Sequence, residues 1–212
     1  MARPLVIAID GPAAAGKGTL AKQLAAHYSL PYLDTGLLYR AVGRKAAAQG
    51  LDLDDPQAME PLARDLDTGD IDEGALRGRE AGELASRVAA HEGVRRALTA
   101  FQRDFADRPT GALLDGRDIG TVICPNADVK IFVVASAEVR ARRRTDELNA
   151  KGRAVVYETI LEEVRQRDDR DSNRAVAPLK PAEDAHLLDT SELSIEGVFR
   201  EACRLIDAHI QT

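Results

Sequence analysis

Cysteine is scarce in this 212-residue sequence, where Cys124 and Cys203 stand 79 positions apart. No histidine or second cysteine lies near either at zinc-ligand spacing, which excludes a disulfide scaffold and a metal knuckle and fits a reducing cytoplasm. Long apolar runs are missing as well. None approaches the roughly 20 residues of a membrane-spanning helix, and the N-terminal run of residues 5–9 is cut off by Asp10. Positive charge is not in excess: the net charge of −6 argues against a protein that wraps nucleic acid by bulk electrostatics. His27, His91, His186 and His209 share no motif, so none is expected to act as a base. There is no internal repeat and no apolar heptad pointing to an obligate assembly, which leaves a cytoplasmic monomer as the expectation.

What is present is the composition of a globular protein, 44% hydrophobic and 30% charged, with length for one domain carrying an insertion or for two small ones. The cations are unevenly chosen, 23 Arg against 6 Lys. Nine of those arginines fall between Arg140 and Arg174. The planar guanidinium fork grips phosphate or carboxylate bidentately, so this enrichment favours a small anionic ligand over a nucleic-acid groove. A high-GC codon bias is an alternative source of part of it.

Residues 4–9 are continuously apolar, the pattern of a parallel strand buried on both faces. A Gly-rich turn follows, and then Leu20, Ala21, Leu24 and Ala25 at helical spacing. Further strands are expected at 31–33, 111–114, 129–135 and 185–188, and helices at 37–49, 137–149, 157–170 and 194–208. Residues 80–107 read as one helix, or as two broken near Gly93. Residues 51–79 hold nine acids, Asp70 among them, and read as a lid-like surface insertion with at most a short helix near 57–65. The alternation predicts a parallel five-stranded sheet with helices on both faces.

Gly11-Pro12-Ala13-Ala14-Ala15-Gly16-Lys17-Gly18-Thr19 lies between the first strand and the first helix, where a phosphate-binding loop must sit. The glycines allow backbone N–H groups to converge, the helix dipole adds positive potential, and Lys17 supplies a point charge for the β- and γ-phosphates. In the strict motif a Ser or Thr follows the Lys directly and ligates magnesium, whereas here Gly18 intervenes and Thr19 carries the hydroxyl. Asp34-Thr35-Gly36, Tyr39-Arg40 and Asp115-Gly116-Arg117-Asp118-Ile119-Gly120 follow the second and third strands at the same sheet edge, where ligands of open α/β sheets bind. Taken alone, the last of these also reads as a solvated turn. The segment 140–174 likewise also reads as a solvated hairpin whose acids and bases pair at i,i+4 spacing. Asp10 and Asp115 both end strands beside the loop and are placed to hold a magnesium-bound water, Asp115 being preferred.

These motifs, with Arg167-Asp168-Asp169-Arg170-Asp171-Ser172-Asn173-Arg174, the segments 85–95 and 129–132 and the pair Arg143-Arg144, strongly resemble those of the bacterial cytidylate kinases nearly end to end. The resemblance implies a P-loop kinase fold in a single domain, 1–212. Its core would be 1–50, 108–136 and 182–212, with an acceptor-nucleotide region at 51–107 and an Arg-rich lid at 137–181. It implies transfer of the γ-phosphoryl group of ATP, with Mg2+, to CMP and dCMP. Residues 11–19 would hold ATP, and Thr19 and Asp115 the metal, the acid through water. Ser86, Arg95 and Asp118 would read cytosine. Arg40 and Arg117 would hold the 5′-phosphate, with Thr35 where the family often has Ser, and Arg167 and Asp171 would lie near the pentose. Lys17, Arg117, Arg143, Arg144 and Arg174 would surround the transferring phosphoryl group. Two departures stand out: 51–79 is too short for the small β-sheet of larger members, and Ser172 replaces an often basic residue. A kinase for another small acceptor, UMP or shikimate, and a nucleotide-binding regulatory module remain alternatives.

Overall fold

The computed structural model describes residues 4–67, 69, 71–76 and 78–210, so Asp70 lies outside the described residues. Five strands form one parallel sheet in the order β2-β3-β1-β4-β5: β1 (Val6–Asp10), β2 (Tyr32–Asp34), β3 (Ala112–Gly116), β4 (Val129–Val134) and β5 (His186–Asp189). Central β1 takes β3 on one side and β4 on the other, which is why its run carries apolar residues on both faces. The chain leaves β1 toward β2 and β3 and returns later to β4 and β5, so the loop after β1 sits at the topological switch point, where open α/β sheets bind ligands.

Helices α1 (Lys17–His27) and α8 (Ile195–Ile210) bury Leu20, Leu24, Val198 and Ile206 against Ile7, Ile9 and Ile131. Leu24 is fully enclosed, and truncating such a side chain to Ala costs about 2–5 kcal/mol. The other face carries Ala8 and Leu114 against Phe105 of α5 (Glu92–Ala106) and Ile119 of a wide helical turn, Ile119–Ile123. Hydrogen bonds from Ile123 N to Asp118 O and from Cys124 N to Ile119 O close this turn over five residues.

A second core lies between α2 (Thr35–Ala48), α3 (Pro56–Arg64), α4 (Arg79–Val88) and α5, built on Leu38, Val42, Met59, Val88 and Leu98. Helices α6 (Ala137–Ala150) and α7 (Tyr157–Asn173) share a third, small core of Ala141, Leu148, Ile160 and Val164. No helix among the described residues is long and apolar enough to cross a membrane.

The five expected strands and their parallel pairing are present. Residues 80–107 form two helices, broken at residues 89–91, just before Gly93. Gly93 lies in the first turn of α5, where an added Cβ would meet the Glu60 side chain, its carboxylate at 2.2 Å and its Cβ at 3.0 Å, and the carboxylate would have to turn aside. Helix α2 begins at Thr35 rather than at residue 37, because the Asp34 carboxylate caps it by accepting from Gly36 N at 3.0 Å.

Candidate active site

The loop of residues 11–16 leaves β1 pressed against β4. A Cβ on Gly11, whose φ is +144°, would fall 2.0 Å from the Val133 carbonyl oxygen, so only glycine fits. The loop ends at Gly16, with φ +92°, and α1 starts there with its first N–H groups directed out of the helix. Lys17 is buried, and its ammonium donates to the Pro12 carbonyl at 3.0 Å. Burial, then Arg117, pulls its pKa below the lysine range, with Asp115, Asp34 and Asp10 opposing.

Asp34 and Asp115 are register partners at the ends of β2 and β3. Burial, then Asp34, holds the Asp115 carboxyl above its ordinary range, with Lys17 and Arg117 opposing. Asp115 and Thr19, in the first turn of α1, both line the cavity beside the loop. Hard oxygen donors of this kind suit Mg2+, which is held by one or two carboxylates together with substrate phosphates. No group of three or more His, Cys, Asp or Glu side chains among the described residues offers an all-protein cage. Asp10 is otherwise engaged: its two carboxylate oxygens accept from Ile119 N at 2.8 Å and Gly120 N at 2.7 Å. Burial pushes its pKa up to about 6.

Beyond Lys17 the cavity becomes crowded with guanidinium groups. Arg117 Nε donates to Asp171 at 2.9 Å, and Arg167 lies 4.0 Å from the same carboxylate. Burial, then Arg117, with Arg40 and Arg144 adding repulsion, pulls Arg167 down to about 10. Arg144 is lowered by burial, then by Arg40 and Arg79. Cations that repel one another in a low-dielectric cleft make a site that an anion stabilises. Arg40 also donates to the Leu76 carbonyl at 3.0 Å, which ties the acidic insertion to this cluster. The Thr35 hydroxyl donates to the Asp115 carbonyl at 2.8 Å.

At the far end Asp118 pairs with Arg95, both buried, while Arg174 Nη2 lies 3.7 Å from the other Asp118 oxygen. Arg95 in turn donates to the Ala89 carbonyl and stands 5.5 Å from the Tyr39 ring centroid. Ser86, on the inner face of α4, is buried and its hydroxyl has no hydrogen-bond partner among the described residues. A buried polar group left unpaired is costly. Phosphate loop, arginine cluster and Ser86 line one continuous cavity of about 800 Å3.

A family model described as cytidylate kinase matches residues 7–208. The chain belongs to the cytidylate kinase family. A cytidylate kinase of Methylocella silvestris is 58% identical over 204 residues, covering 96% of this chain and 94% of that one. One of Xanthobacter autotrophicus is 59% identical, covering 96% and 98%. Among solved structures, a gluconokinase from Sinorhizobium meliloti is similar in fold alone, with a TM-score of 0.52 at 12% identity over 100% of this chain and 99% of that one.

For this member of the cytidylate kinase family the fold gathers most of the residues singled out from sequence around one cavity. Ala13 to Thr19, Thr35, Arg40, Ser86, Asp115, Arg117, Asp118, Arg143, Arg144, Arg167, Asp171 and Arg174 all line it. Gly11, Pro12 and Arg95 stand behind the wall: the first two shape the loop, and Arg95 reaches the cavity through Asp118. Arg143 and Arg174, like Arg40 and Arg117, already have partners in the protein. Arg143 donates to the Thr190 hydroxyl at 3.0 Å and carbonyl at 2.6 Å, and Arg174 Nε to the Ala177 carbonyl at 2.5 Å. Sequence reasoning missed Thr190, which follows β5 at the same sheet edge as the other sites; that edge rule was the available signal.

Proposed function

We propose that this enzyme seats the triphosphate of ATP on the loop of residues 11–19 and CMP against Ser86, Arg95 and Asp118, and transfers the γ-phosphoryl group to give ADP and CDP. ATP-dependent phosphorylation of CMP is the activity that the family name denotes. The observation that carries the acceptor half is Ser86, a buried hydroxyl without a partner beside the Arg95–Asp118 pair, in the cavity that also opens on Lys17. The amino group, ring nitrogen and carbonyl along a cytosine edge offer complementary donors and acceptors to such a hydroxyl, guanidinium and carboxylate.

Phosphoryl transfer needs little covalent help; it needs two anionic substrates aligned and their charge neutralised. In this reading Arg40 and Arg117 hold the acceptor 5′-phosphate beside Thr35, and Arg167 and Asp171 hold the pentose. Lys17, Arg117 and Arg144 face the transferring group, and Arg174 reaches it only by leaving Asp118 and the Ala177 carbonyl. Arg143 joins them only by exchanging Thr190 for phosphate. Thr19 and, through water, Asp115 would hold Mg2+, whose chemistry there is neutralisation of phosphate charge. In this reading dCMP is a second acceptor, as the resemblance to the cytidylate kinases implies. The region 51–107 serves the acceptor, and 137–181, with its own small core, closes as a lid that keeps water from ATP.

CMP added without ATP is expected to raise the melting temperature, and Ser86→Ala to shrink that shift. A protein that used its loop only as a nucleotide switch would ignore CMP.

A further inference from the structure

We infer that Arg140 and Thr190 are positioning residues that hold the phosphate loop in its anion-receiving curl by fixing the carbonyls on either side of Ala14. Ala14 lies at φ +60°, in the left-handed region, which L-residues with a side chain disfavour. Something must hold it there. Arg140, in the first turn of α6, is buried and donates through Nη1 to the Ala13 carbonyl at 3.3 Å. The same guanidinium is fixed by the Ala135 carbonyl at 2.9 Å and by both oxygens of Asp168 at 2.8 and 2.5 Å. On the other flank Thr190, buried after β5, approaches the Ala15 carbonyl with its hydroxyl at 3.1 Å.

The hydroxyl proton of Thr190 has two acceptors in reach, Ala15 O at 3.1 Å and Val134 O at 3.2 Å. The Val134 carbonyl already takes the Thr190 N–H at 2.8 Å, and Arg143 fills the hydroxyl's acceptor side at 3.0 Å. A carbonyl accepts two hydrogen bonds, so the proton is shared between Val134 and Ala15, the nearer of the two. Both carbonyls are thus drawn toward α6 and β5, on the outside of the loop. With the carbonyls of Ala13 and Ala15 turned out, the backbone between them keeps the curl that lets N–H groups converge on an anion.

The inference rests on the reading that this loop receives ATP, and binding separates the two. ATP and CMP affinities are measured by calorimetry for the wild type, Arg140→Met and Thr190→Val, each also combined with Ala14→Gly, and compared with Ala14→Gly alone. Glycine removes the penalty at position 14. Arg140→Met and Thr190→Val are each expected to weaken ATP about tenfold while changing CMP less than about twofold, and each loss is expected to shrink severalfold when Ala14→Gly is also present. Equal losses with and without Ala14→Gly, or a loss shared evenly by ATP and CMP, would overturn the inference. Should Arg140→Met fold poorly with Asp168 unpaired, Thr190→Val and Thr190→Ser decide together: Val removes the hydroxyl from both Ala15 and Arg143, whereas Ser keeps it and is expected to bind ATP as the wild type does. Failure of the wild type to phosphorylate CMP while still binding ATP would count against the proposed function and leave this comparison standing.

Discussion

Arg117 and Asp171, 54 residues apart in sequence, meet at 2.9 Å and tie the loop after β3 to helix α7. That contact joins the sheet edge to the helix pair proposed to close over the substrates. Burial raises the Asp171 carboxyl, but Arg117 and Arg167 outweigh it and hold its pKa below the ordinary range.

Asp171→Asn removes the carboxylate that aims Arg117 and leaves the guanidinium groups less balanced. A buried pair broken on one side costs about 3–5 kcal/mol of stability; separately, with Arg117 no longer aimed at the acceptor, kcat/KM for CMP is expected to fall on the order of a hundredfold. Because the folded pKa is depressed, the stability that Asp171 contributes is complete above about pH 4 and is lost as pH falls through the folded value. The acid arm of a melting-temperature profile is therefore expected to be flatter in the variant than in the wild type.

Ser86→Ala and Asp118→Asn probe the far end of the cavity. Loss of one hydrogen bond to a ligand is worth about 0.5–1.5 kcal/mol, and loss of a charged one about 1.5–3. Steady-state kinetics are expected to show KM for CMP rising severalfold in Ser86→Ala and far more in Asp118→Asn, with KM for ATP nearly unchanged. A parallel rise in both constants would place these residues outside the acceptor site.

Lys17→Ala takes away the one cation inside the loop. The fold is expected to persist, since the ammonium's hydrogen bond is to the neighbouring Pro12 carbonyl, while kcat falls to less than about a tenth of the wild-type value. Far-UV circular dichroism and single-turnover kinetics together separate the two effects.

How much of this was legible in sequence depended on whether the cause was local. The apolar run of β1 and the glycines of the phosphate loop carry their own explanation, and both lie where the sequence placed them. The turn at residues 119–123 does not. Its Ile-Gly-Thr-Val-Ile composition looks like strand, and it forms because Asp10, 109 residues earlier than Ile119, accepts the Ile119 and Gly120 N–H groups. What Gly93 packs against was hidden for a related reason, since the Glu60 side chain beside it comes from another helix. In the site, residue types and sheet edge pointed to the cavity wall. That Arg143 faces Thr190, or that Arg140 braces the loop, depends on where α6 and β5 end in space.

Asp10 itself gives a pH prediction. Its pKa is pushed up to about 6 in the fold, against about 3.9 in an unfolded chain, so between those values the folded state holds a proton that the unfolded state lacks. Its contribution to stability therefore grows as pH falls from above 6 toward 4, by an amount on the order of 3 kcal/mol. Asp10→Asn has no such titration. The melting temperature of the variant minus that of the wild type is expected to be more positive at pH 7.5 than at pH 4.5, and a constant difference would show that Asp10 does not titrate in this range.

The most direct test of the central claim is ADP release from MgATP, in a coupled assay, against CMP, dCMP, UMP, AMP, GMP, shikimate and no acceptor. The account predicts fast turnover with CMP and dCMP and little with AMP or GMP, because Ser86 and the Arg95–Asp118 pair match a cytosine edge. ADP release without an acceptor, or with shikimate alone, would contradict that assignment while leaving the phosphate loop in place.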